Sequence, residues 1–146
     1  MRPSRELCVR DPIRGPDDAA ALLRCLSGDA EVPSRLLVVG LGGDRRLTGV
    51  GIAPPGRGLA DFKVWELHAL ADELDAAALV VGRFARGRPR PPSDAEARAF
   101  VDLLQRARAA GVALLDCVVL RGERWWSLAE RSGVGVRVRL VSEEAP

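Results

Sequence analysis

Ser93 and Glu96 stand three positions apart, just where an amphipathic stretch begins. A serine at a helix N-cap accepts the N–H of the third helical residue, and a glutamate there reaches back to the cap, forming a capping box. That role accounts for both side chains without catalysis. Asp116 and Cys117 sit side by side in the apolar run VALLDCVVL. A thiolate beside an acid or a base is a nucleophile in the right setting, with His68 or Asp116 as its partner here. An apolar strand more often buries an inert thiol. His68 is the chain's one histidine, and the plain reading is a helix-surface or core residue. Arg83, Arg86, Arg88 and Arg90 place four arginines within eight residues, in a Pro/Gly-rich segment ahead of that amphipathic stretch. A helix N-terminus favours anions, so one reading is an anion, nucleic-acid or acidic-partner contact. The other, which the lack of interleaved aromatics favours, is a solvated loop.

The elements that position these residues follow from periodicity and punctuation. Residues 1–15 are polar and broken by Pro and Gly, an irregular arm. A helix is expected to open at Pro16, with acids in its first turn, and to end at Gly28. The continuous apolar run at 35–41 reads as a buried strand. A Gly-Gly-Asp turn joins it to a hairpin partner at 47–53. A loop at 54–58 leads to a helix at 64–74, whose Val64, Leu67, Leu70, Ala71 and Leu74 share one face. A strand at 77–81 and a helix at 94–110 follow. That helix carries a stripe of Phe100, Leu103, Leu104 and Ala107, with Gly111 as its stop. Strands are expected at 112–120 and 124–128, and a half-exposed one in the alternating tail VGVRVRLV. Trp125 and Trp126 would point to opposite faces, one into the core and one outward as an interface candidate. The order αββαβαβββ defines an α/β fold, a mixed β-sheet packed with helices.

The chain has 146 residues, 47% of them hydrophobic, and a formal net charge of +2. That is one domain with enough apolar content for a core. The expected division is an arm at 1–15, a domain at 16–142 and a tail at 143–146. Lys63 is the only lysine, so the arginine content reads as compositional bias rather than as a nucleic-acid signal. Cys8, Cys25 and Cys117 form no CxxC and are odd in number, which points to free thiols in a reducing cytoplasm. No run is long enough to span a membrane and no apolar leader opens the chain.

In its order of elements and its spacing the chain resembles the RadC-like branch of the JAB/JAMM (MPN) metalloprotease family. The family signature is His-x-His, seven residues, Ser, two residues, Asp. Ser93 falls on the serine, Arg83 and Ala85 on the two histidines, and Glu96 on the aspartate. The family's catalytic glutamate falls on Ser34. Its Pro-Arg-Glu-Val-Phe helix start corresponds to Val64-Trp65-Glu66-Leu67-His68, with only Glu66 retained. Leu115-Asp116-Cys117 matches its Leu-Asp-His strand, and Trp126-Ser127-Leu128-Ala129-Glu130 its closing segment. The likeness runs from about residue 12 to 133. It implies a three-layer JAB/MPN (cytidine-deaminase-like) architecture.

The family reaction needs a zinc with three protein ligands and an open fourth position. Arg83 cannot give up its proton to bind a cation, and Ala85 has no donor; one reading of Arg83 is a guanidinium that replaces the metal's charge and pairs with Glu96 or Asp116. Ser34 is a poor base. The expectation is a catalytically inactive domain without zinc or other cofactor, acting through a protein partner or as a homodimer. By resemblance, inactive MPN domains pair with other subunits. Two alternatives stand beside it. One is a nucleic-acid-associated module using Arg86, Arg88 and Arg90. The other is a hydrolase with a re-invented site lined by Ser93, Asp116 and Cys117, with Glu66 a further lining candidate.

Overall fold

The computed structural model describes residues 11–27, 36–54, 56–85 and 91–132. Ser34, Arg86, Arg88, Arg90 and the alternating tail lie outside these residues, so the expectations placed on them carry no structural account. The described elements are α1 (Pro16–Ser27), β1 (Leu36–Leu41), β2 (Leu47–Ile52), a 3-10 turn (Leu59–Asp61), α2 (Val64–Glu73), β3 (Ala78–Phe84), α3 (Asp94–Ala109), β4 (Leu114–Arg121), β5 (Arg124–Ser127) and α4 (Leu128–Ser132).

The five strands form one mixed sheet in the order β2-β1-β3-β4-β5. β3 and β4 are parallel, with α3 as their connection, and the other neighbours are antiparallel. The fold is α/β, as the order of elements predicted. Alternation along the strands divides the core in two. Leu36, Val38, Leu79, Val81, Cys117 and Val119 face a cluster with Leu67, Phe100, Leu103, Leu104, Ala107 and Leu128 of α2, α3 and α4. Leu37, Val39, Leu41, Val80, Val118 and Leu120 face Ala19, Ala20, Leu22 and Leu23 of α1. The stripe predicted for the long helix is buried throughout, at roughly 1.5–3 kcal/mol for each large side chain.

Two glycines set how closely the helices approach. A Cβ on Gly40 of β1 would meet Thr48 Oγ1 at 2.8 Å and the Cβ atoms of Ala76 and Leu74 at 2.9 and 3.0 Å. A Cβ on Gly82 of β3 would collide with the Leu23 side chain of α1. Gly111 adopts φ 79°, the left-handed turn expected after α3.

Several expectations need correction. β3 continues to Phe84, so Arg83 is a strand residue and not the first residue of a loop; its backbone register with Leu36 and Val119 accounts for the extension. The strand expected at 124–128 stops at Ser127, and α4 begins there. Neither tryptophan of the Trp125–Trp126 pair is fully buried. Trp125 packs against the α1-side core, and the Arg124 guanidinium lies 5.2 Å from the Trp126 ring. The most exposed tryptophan is Trp65, at 66%. Cys25 is disulfide-bonded, against the expectation of free thiols. That removes the free-thiol argument for a reducing compartment. Among the described residues, no helix is long and apolar enough to cross a membrane.

Candidate functional site

The carboxyl ends of the parallel pair β3 and β4 bring two arginines against one glutamate. Arg83 comes from β3, Arg121 from the last position of β4, and Glu96 from the first turn of α3. Arg83 donates from Nη1 to Glu96 Oε2 at 3.0 Å, and Arg121 donates from Nη2 to Glu96 Oε1 at 3.4 Å. Arg121 is buried, its side chain 6% exposed, whereas that of Arg83 is 38% exposed. The crevice beyond the carboxyl ends of parallel strands is where open α/β sheets bind ligands.

Ser93 is the N-cap of α3, and its Oγ accepts the Glu96 N–H at 3.2 Å. The other half of the expected capping box is absent, because the Glu96 carboxylate turns away from the cap to the two guanidiniums. Ala85 packs against the core and donates its N–H to Leu120 O at 2.8 Å.

The remaining candidates are dispersed. Cys117 lies on the α3 side of the sheet, fully buried. Burial, and then the neighbouring Asp116 charge, push its thiol far above the ordinary range. It is a core thiol and not a nucleophile. Asp116 faces the opposite side, toward α1, as adjacent strand residues must. His68 is remote from both, its Nε2 2.8 Å from the carbonyl oxygen of Ala110 at the end of α3. Glu66 accepts from Arg57 at 2.7 Å and from the Lys63 N–H at 3.2 Å, closing the first turn of α2. Partial burial raises its carboxyl, but the Arg57 hydrogen bond and the nearby positive charges outweigh this, and the net shift is downward. Glu66 is thus a fold contact, and the re-invented site of Ser93, Asp116 and Cys117 does not assemble.

Sequence reasoning missed two residues. Arg121 closes an apolar run, and a charge there was the available signal. Ser127 opens Ser-x-x-Glu with Glu130, the same cap pattern read at Ser93. Its Oγ accepts the Glu130 N–H at 3.1 Å and donates to Asp116 Oδ2 at 2.5 Å. Asp116 Oδ1 accepts the N–H groups of Cys117 at 2.7 Å and of Ala129 at 3.0 Å. Asp116 and Ser127 together hold the start of α4. Burial pushes the Asp116 carboxyl up to about 6 against those three hydrogen bonds, and the Glu130 charge adds to the rise.

The residues do not fit the zinc that the resemblance implies. Glu96 is the one carboxylate at the signature positions, and both its oxygens already accept from guanidiniums. Among the described residues, no three His, Cys, Asp or Glu side chains converge as a metal site. The chain matches no family model and has no significant match among curated proteins.

Proposed function

We propose that this chain is a metal-free domain of the RadC-like JAB/MPN kind that acts through protein contacts. The observation that carries the reading is the Arg83–Glu96 ion pair, held between the two positions where the family places a zinc-ligating histidine and aspartate. A guanidinium there supplies fixed positive charge in place of a cation, and it needs no open coordination position. Loss of the water-activating metal removes the hydrolytic step, while the two cores packed on the sheet do not depend on it. The surface offers features suited to a partner. Val50 and Ile52 lie on the edge strand β2, and Trp65 on α2, all exposed.

Rebuilding the donor set tests this reading. The parent protein, purified and dialysed, carries no stoichiometric zinc by elemental analysis. The triple variant Arg83→His, Ala85→His, Glu96→Asp regains three ligands with JAB spacing and binds about one zinc per chain. Zinc in the parent would overturn the metal-free reading. A folded triple variant that takes up none would overturn the JAB/MPN architecture. For the contact role, sedimentation at rising concentration detects self-association, and Trp65→Ala weakens it. If the parent stays a monomer at every concentration, the homodimer form of the proposal fails.

A further inference from the structure

On the α1 side of the sheet, remote from Arg83 and Glu96, lies a cavity of about 250 Å³. Its floor is Ala19, Val80, Asp116, Ser127 and Ala129, all buried, and its exposed lining is Arg14, Arg45, Leu115 and Glu130, two guanidiniums against one carboxylate. The Ile13 N–H donates to Arg45 O at 2.9 Å, which ties the segment before α1 to the β1–β2 turn and forms one wall. Asp116 is the unusual group. It is 8% exposed, and its three donors are all neutral: one hydroxyl and two backbone N–H groups. Among the described residues no cation pairs with it. Oδ2 accepts one hydrogen bond, from Ser127, and each carboxylate oxygen has room for two. A buried carboxylate of this kind is expected to meet a charged partner. The guanidiniums at the mouth supply the opposite sign at the other end of the cavity.

We infer that this cavity binds a small zwitterion of the α-amino-acid type, its ammonium on Asp116 and its carboxylate toward Arg14 and Arg45. The apolar floor and Leu115 accommodate a short aliphatic side chain. The volume lies below the roughly 300–1,000 Å³ of sites for drug-sized ligands, so the ligand is small. The inference is independent of the metal-free reading, since the two sites occupy opposite faces of the sheet.

Titration of the full chain with L-valine, followed by amide chemical shifts, tests it. Saturable shifts at Val80 and Ala129 are expected, with a dissociation constant on the order of 1 mM, corresponding to about 4 kcal/mol. Isovaleric acid, which lacks the ammonium, and isobutylamine, which lacks the carboxylate, bind at least about tenfold more weakly, a loss of about 1.4 kcal/mol each. Asp116→Asn abolishes the L-valine shifts. Arg45→Ala, which removes an exposed side chain and keeps the backbone bonds of that turn, weakens them several-fold. Absence of saturable shifts in the full chain up to about 20 mM overturns the inference, as does equal binding of the two truncated probes or unchanged binding by Arg45→Ala.

Discussion

Glu96 and Asp116 are carboxylates in opposite predicaments, and each makes a prediction. Glu96 lies between two arginines of unequal burial. Arg83 is well exposed, so its ion pair contributes at most about 1 kcal/mol, and Arg83→Met lowers stability by no more than that. Arg121 is buried, and Glu96→Gln removes a charge that compensates it. That variant costs about 1–3 kcal/mol, less than a fully buried pair because Glu96 keeps some solvent. Urea unfolding of both variants checks the order. Asp116 is held above its ordinary 3.8, at about 6, chiefly by burial. A carboxyl with a raised folded value binds its proton in the native state more tightly than in the unfolded one. Its contribution to stability is therefore greatest below about pH 4 and is lost as pH rises through 6. The span is on the order of 3 kcal/mol, at about 1.4 kcal/mol per tenfold change in proton affinity. Asp116→Asn keeps an acceptor for the N–H groups of Cys117 and Ala129 and flattens that part of the pH profile. Asp116→Ala orphans those donors and costs about 2–4 kcal/mol relative to Asp116→Asn at either pH. Chemical unfolding at pH 4 and pH 7 separates the two. A wild-type profile that rises between those values in parallel with Asp116→Asn would remove the assignment.

At the scale of the element, what holds a helix in place decides how much of it could be read in advance. The stripe of α3 and the stop at Gly111 were legible because both are local: an apolar period of 3.6 and a left-handed glycine. The β1 run LLVVGL was legible because every residue is buried. α4 was not, although Ser127 and Glu130 wrote a cap signature, because the five-residue helix has little period of its own and its other support, Asp116, is eleven positions away. The separation of Asp116 from Cys117 was legible from alternation alone. The pairing of Arg83 with Glu96 was legible from the signature spacing, while the approach of Arg121 to the same carboxylate was not, because it depends on how far β4 runs. Helix approach yields a further prediction. Gly82→Ala places a methyl on the Leu23 side chain, and Gly40→Ala places one against Thr48, Leu74 and Ala76. Overpacking of this kind costs about 1–3 kcal/mol. Leu23→Ala relieves the Gly82 clash, so those two changes together cost less than the sum of each alone, while Leu23→Ala and Gly40→Ala add. Melting temperatures of the three single and two double variants decide it.

For the whole molecule, the two cores on opposite faces of one sheet carry the stability, and among the described residues neither includes a metal donor set. A structural or catalytic ion that binds only the folded state raises stability by RT ln(1 + [L]/Kd), about 2.7 kcal/mol at a hundredfold excess over Kd. For a domain of this size that corresponds to several degrees of melting temperature. A JAB domain with its ligands intact therefore loses stability on chelation and regains it with zinc. On the metal-free reading proposed above, Arg83, Ala85 and Glu96 give this chain no such linkage. Its melting temperature is expected to be the same, to within about 1 °C, in excess EDTA and in excess zinc. The triple variant that restores two histidines and the aspartate acquires a zinc-dependent rise of several degrees. The comparison within one background separates the metal's contribution from that of the fold. An EDTA-sensitive parent would place an ion in the native state and remove the basis for a guanidinium in its stead.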